Sequence, residues 1–267
     1  MSERSGSEAI QAAFMAAKAS DRAALIPFFT AGFPTLGVLP DLVKAAEDGG
    51  ADIIEIGIPF SDPLADGPVL QQAASVALAQ GTRVKAILDL LGQLPTGIPR
   101  VFLTYVNPVL RRGYVPFAAE AREAGMAGAI VPDLPWTESS ELARAFQHQG
   151  LALIPLVAPT STDKHMRALK SANGFVYAVS VTGVTGARQG IDGGVEAMVA
   201  RIRQAVDLPV AIGFGISTPE QARRLGHVAD GVIVGSALTQ ALMAKRANPA
   251  QAVYDFLHPM RLALDSR

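Results

Sequence analysis

The residue types best suited to moving protons gather in one stretch of this chain, IEIGIPFSDPLADGP at residues 54–68. In an extended strand, alternation puts Ile53, Glu55 and Gly57 on one face and Asp52, Ile54 and Ile56 on the other. An ionised, unpaired carboxylate on such an apolar face costs on the order of several kcal/mol, and the usual response is a raised pKa. Glu55 is therefore a candidate acid or base near neutrality, the plainer alternative being a buried glutamate bonded to backbone or a strand neighbour. Asp62 and Asp66 follow in a segment stiffened by Pro59, Pro63 and Pro68, which reads as an active-site loop. Either could be the second carboxylate. Spacing does not choose between them, and an Asx turn or a helix cap accounts for each as well, Asp66 before Gly67-Pro68 looking the more cap-like.

Glycine marks three further places. FVYAVSVTGVTGARQGIDGG at 175–194 predicts a loop longer than a simple connection needs, a lid whose Thr182, Thr185 and Arg188 would meet a substrate on closure. GFGIS at 213–217 and GSA at 235–237 fall after consecutive strand-like runs. Backbone N–H groups exposed by glycine, with a short helix starting near Ser236, form an anion site that needs no lysine or arginine, so a phosphate monoester is expected there.

Other chemistry lacks material. The chain has no cysteine, which excludes disulfides, thiolate nucleophiles and cysteine-held metals. Four histidines, at 148, 165, 227 and 258, form no ligand-spaced cluster, and lysines 18, 44, 85, 164, 170 and 245 fall in or beside helix-like segments, away from any Schiff-base position. A formal net charge of −1 gives no field to collect nucleic acid or anionic lipid. Residues 1–22 carry charges within a weakly amphipathic run and do not read as a leader or an anchor. The expectation is a soluble cytoplasmic protein.

Eight apolar runs would position these groups, beginning at residues 24 (ALIPFFT), 51 (ADIIEIG), 100 (RVFLTYV), 128 (GAIVPD), 151 (LALIPLV), 175 (FVYAVSV), 209 (PVAIGFG) and 230 (DGVIVGS). Helix-like segments at 39–48, 71–91, 114–124, 138–148, 162–171, 194–206 and 219–225 lie between them, and a helix at 7–18 precedes the first. Strands apolar on both faces and alternating with helices pair in parallel. Eight such units predict one closed (β/α)₈ barrel over residues 1–267, with the first helix across its floor; an open doubly wound sheet is the competing architecture. The strand ends would then bring Phe28, Leu103, Tyr105, Asn107, Asp133, Tyr177 and Phe214 to one mouth.

In this order the strings ALIPFFTAG (24–32), EIGIPFSDPLADGP (55–68), YVNPV (105–109), VPDLP (131–135), GVTGAR (183–188), GFGIS (213–217) and VGSA (234–237) resemble the tryptophan synthase α-subunit family over essentially the whole chain. The resemblance implies a (β/α)₈ lyase that cleaves indole-3-glycerol phosphate into indole and D-glyceraldehyde 3-phosphate without a cofactor. It implies Glu55 as general acid/base and Asp66, rather than Asp62, as the second catalytic carboxylate. Phe28, Leu103, Tyr177, Phe214 and Val234 would form a slot for the indole ring, and Gly186, Gly215, Gly235 and Ser236 would hold the phosphate. Thr185 would reach Asp66 as loop 183–194 closes over loop 58–68. The implied partner is a pyridoxal-phosphate β subunit in an α₂β₂ complex, to which indole passes through a tunnel; this chain would not carry the pyridoxal phosphate. Phe33 departs from the pattern, since some members have Asp there, and is expected near the face where partner and second loop meet. Alternative readings are another phosphate-binding barrel, an isomerase or synthase, and a non-catalytic subunit that binds phosphorylated indoles.

Overall fold

The computed structural model describes residues 4–95, 97–179, 191–213 and 215–265. Its strands are β1 (Ala24–Thr30), β2 (Ile54–Gly57), β3 (Arg100–Leu103), β4 (Gly128–Ile130), β5 (Ala152–Ile154), β6 (Leu156–Val157), β7 (Val176–Val179), β8 (Val210–Gly213) and β9 (Gly231–Val234). All pair in parallel, in the order β5-β4-β3-β2-β1-β9-β8-β7-β6. The two ends of that order, β5 and β6, are one strand interrupted at Pro155. Proline has no N–H to give to a ladder, although its carbonyl still accepts from Tyr177 N at 2.9 Å. The sheet is thus a closed barrel of eight staves, as the eight apolar runs require, and the open sheet is excluded.

Alternation sorts the side chains into two cores. Ala24, Ile26, Ile53, Val101, Ile130, Ile154, Tyr177, Ala211 and Ile233 point inward, and Ile10, Phe14 and Ala17 of helix Gly6–Ala19 close the floor beneath them. That helix starts on a capping box between Ser5 and Glu8. The intervening residues, such as Phe29, Ile54, Ile56, Phe102 and Val232, pack outward under the helices. Residues 1–3, 96, 180–190, 214, 266 and 267 lie outside the described set.

The helices differ from expectation in three places. The segment expected as one helix over 71–91 is two, Pro68–Ala79 and Val84–Leu91, parted where Gly81 takes φ +82°. Helix Val106–Arg112, unassigned from sequence, precedes Tyr114–Glu123, and Gly113 at φ +85° divides the pair. The C-terminal helix Pro249–Asp265 was also unassigned; Pro259 inside it reads locally as a breaker. It packs on helices Leu39–Asp48 and Pro219–Gly226. At the floor, Asp52 accepts from Arg22 (2.7 and 2.8 Å), Leu25 N (2.9 Å) and Arg261 of this last helix (3.1 Å). No helix among the described residues is long and apolar enough to cross a membrane.

Candidate active site

Glu55 is the second residue of β2, level with Phe28 on β1 and Val101 on β3. It is 1% exposed and faces the barrel interior, and neither carboxylate oxygen has a hydrogen-bond partner among the described residues. Burial, and secondarily the charge of Asp66, push its pKa up to about 8. The plainer alternative of a satisfied core glutamate therefore does not hold.

The structure separates the two aspartates that spacing left equivalent. Asp62 is exposed and accepts from its neighbour Ser61 Oγ at 2.8 Å. Asp66 is half-buried and turned toward the mouth, its pKa raised to about 6 by burial and held down against that trend by a hydrogen bond from Tyr105. Asp66 does not cap the following helix, whose N-cap is Gly67 with Pro68 at the first position. Two turns aim it: Leu64 N donates to Asp62 O and Asp66 N to Pro63 O, at 2.9 and 3.0 Å.

Tyr105 ties this loop to the barrel. Its ring, 2% exposed, stacks on Phe60 with centroids 5.3 Å apart, and its hydroxyl accepts from Ala65 N at 3.1 Å while bonding Asp66. Burial first, then the neighbouring Asp66 charge, raises the phenol above its ordinary range. Tyr177, buried opposite, is raised by burial and then by Glu55 and Asp66. The Phe28 ring lies over Gly57 and the Tyr177 ring over Gly213, each where a Cβ would stand, so those glycines let two aromatic walls close on the mouth. Leu103 packs against the same inner cluster.

Val234 corrects the expectation for the slot. It ends β9 with its side chain in the outer core, whereas Ile233 points inward. The same period of two that placed Glu55 would have found Ile233, together with Ile130, Ile154 and Leu156, had it been carried to every strand. Asn107 is exposed on its helix, and Asp133 is occupied in accepting from Val106 N at 2.8 Å, which caps that helix. Phe33 is no contact surface: it is 2% exposed within the outer core. Thr182, Thr185, Gly186 and Arg188 of the expected lid, and Phe214 of the slot, lie outside the described residues.

The two glycine segments are unlike. Helix Pro219–Gly226 opens on a capping box in which Thr218 accepts from Gln221 N, and the Gln221 side chain accepts from the backbone of Ser217 and Thr218. Helix Ser236–Ala244 starts at Gly235 with no side-chain cap. A Cβ on Gly235 would only touch Phe28, 3.5 Å away, so this uncapped end opens beside the pocket wall. Among the described residues no side chain caps its first amides, which can meet an anion at the mouth, and Gly215, exposed at φ +76°, follows β8 on the adjoining stave.

The chain is similar to known proteins in sequence and in fold. A match to the family described as tryptophan synthase alpha chain spans residues 14–263. The tryptophan synthase alpha chain of Synechococcus elongatus is 46% identical, over 96% of this chain and 97% of its own, and that of Lacticaseibacillus casei is 41% identical, over 91% and 92%. Among solved structures, tryptophan synthase subunit alpha from Legionella pneumophila superposes with a TM-score of 0.90 at 35% identity, covering 97% of this chain and 99% of that one. A chain of tryptophan synthase from M. tuberculosis reaches 0.87 at 34% identity, with 96% and 98% covered. With both sequence and fold matched over nearly its whole length, the chain belongs to the tryptophan synthase alpha chain family.

Proposed function

We propose that the chain cleaves indole-3-glycerol phosphate to indole and D-glyceraldehyde 3-phosphate at the mouth between Glu55 and Asp66. The observation that carries this is the pairing of a fully buried, unpartnered Glu55 with a half-buried Asp66 inside apolar walls. At neutral pH the first holds its proton and the second has lost it, an acid and an anion set apart by environment.

Glu55 gives its proton to indole C3, and positive charge develops toward the ring nitrogen. Asp66 accepts a hydrogen bond from the ring N–H and stabilises that charge. The bond from C3 to the glycerol carbon then breaks, its electrons returning to the ring, as the adjacent hydroxyl becomes an aldehyde. The Glu55 carboxylate takes the hydroxyl proton, so the acid is restored and no cofactor enters the balance. Phe28, Leu103, Tyr177 and Ile233 wall the ring, and the family resemblance supports adding Phe214, which lies outside the described residues. The uncapped N-terminus at Gly235 and Ser236, with Gly186 and Gly215, takes the phosphate, a remote handle whose binding energy orients the scissile bond. The family resemblance supports Thr185, which lies outside the described residues, as a contact of Asp66 in the substrate complex.

The family supports a pyridoxal-phosphate β subunit as partner, in an α₂β₂ assembly within the cytoplasm. Leu64, 89% exposed at the tip of the catalytic loop, offers that partner an apolar contact next to the site. The lysines of this chain are in or beside helices, which supports leaving pyridoxal phosphate to the partner. Indole release by the isolated chain and by its complex with the β subunit tests the reading. Activity in the wild type, lost in Glu55→Gln with analogue binding retained, is the expected result. Binding of the phosphorylated indole without turnover in either form would point to a regulatory subunit.

A further inference from the structure

The substrate proposed above has two recognition ends, and each is served by the start of a different helix: Pro68–Ala79 follows Asp66, and Ser236–Ala244 opens the phosphate site. Both helices pack against β1 and against each other. β1 lies between β2 and β9 in the barrel, so the residues that leave β1 emerge between the helices those strands lead into.

Residues 31–34 touch the far ends of both. Ala31 N donates to Gly57 O at 2.9 Å, fixing the segment to the base of the catalytic loop. Gly32, at φ +91°, lies so close to helix Pro68–Ala79 that a Cβ there would meet Ala77 Cβ at 2.9 Å and overlap the Thr82 hydroxyl. Gln80 Nε2 donates to Pro34 O at 2.9 Å. Phe33 is buried, and the guanidinium of Arg246, just beyond the end of helix Ser236–Ala244, stands 5.6 Å from its ring centroid.

We propose that Phe33 and Arg246 form a brace that sets the spacing between Asp66 and the phosphate-binding helix end, and so are positioning residues for the joined substrate. Each helix end is built locally and recognises its own half of the ligand without the brace. What the brace fixes is their separation, which governs how far the second half gains from the first being bound.

This inference rests on the proposed substrate, and fragment binding tests the two separately. Calorimetry would measure indole, glycerol 3-phosphate and a non-cleavable analogue in which a three-carbon chain joins indole to phosphate. In the wild type the joined analogue should bind far more tightly than either fragment. Phe33→Ala should weaken the joined analogue about tenfold and each fragment less than twofold; Arg246→Met should do the same by about threefold, and Arg246→Lys, which keeps a cation over the ring, should restore the wild-type value. Arg246 is exposed, so its variants test the brace even where Phe33→Ala fails to fold. A structural role alone lowers the unfolding temperature and leaves the ratio of joined to fragment affinity unchanged. An unchanged ratio in Arg246→Met overturns the brace, and a wild type that gains nothing from joining the fragments overturns the substrate assignment along with it.

Discussion

Glu55 and Asp66 divide one task because burial acts on them unequally. The rate should require Glu55 protonated and Asp66 ionised, so kcat/KM should rise with pH through about 6 and fall through about 8. Asp66→Asn should remove the rising limb and bring the falling limb down, though not to 4.5, because burial is the larger cause of the Glu55 shift and remains. Tyr105→Phe removes the bond that restrains Asp66, and the rising limb should then move above 6; a limb that stays in place would show that Tyr105 does not act through Asp66. Glu55→Gln should lower kcat by two to four powers of ten. The same residue opposes folding at high pH. Between pH 4.5 and 8 the folded chain keeps a proton at Glu55 that the unfolded chain has lost, so its contribution to stability falls as pH rises through that window. Urea unfolding at pH 5 and pH 9 should therefore show Glu55→Gln gaining on the wild type at the higher pH.

At the scale of elements, two helices that both follow glycine-bearing strand ends have opposite uses because one is capped and the other is not. Ser236→Asp would supply a competing anion at the open end: glycerol 3-phosphate affinity should fall at least tenfold, while stability holds or rises by about 0.3–1 kcal/mol. Thr218→Ala should cost about 1 kcal/mol in unfolding and leave phosphate affinity unchanged. Reversal of that pattern in a paired titration would place the anion at the other helix. The cap on Pro219–Gly226 is written in Thr218-Pro219-Glu220-Gln221, so this distinction was available from the sequence. The break at Gly81 was less so, because apolar spacing on its two sides runs on as though the helix were continuous.

Across the whole molecule, the C-terminal helix is tied to the barrel floor through Asp52, far from the mouth. Asp52 collects two arginines and a backbone amide while only 10% of its side chain is exposed. Asp52→Ala leaves Arg22 and the buried Arg261 only the more exposed Asp265, 3.8 and 2.8 Å away, and should cost about 3 kcal/mol in unfolding. Residual folded protein should keep its kcat, since Asp52 is held by Arg22, Leu25 N and Arg261 on the face of the stave opposite to the one that carries Glu55 into the barrel. A loss of kcat at full foldedness would mean that floor and mouth are coupled.

Local periodicity determined the eight staves, the floor helix and the face of Glu55, because a strand's alternation and its burial are properties of consecutive residues. It left Asp62 and Asp66 equivalent, and Val234, which the resemblance implied for the slot, gives way to Ile233 by the same alternation. Only the closed barrel separated the two aspartates: Tyr105, some forty residues further along the chain, pulls Asp66 inward through bonds that no spacing rule contains. Barrel closure likewise set Phe33 beneath Arg246, since contact between residues two hundred positions apart depends on which staves become neighbours, and the chain alone does not say that.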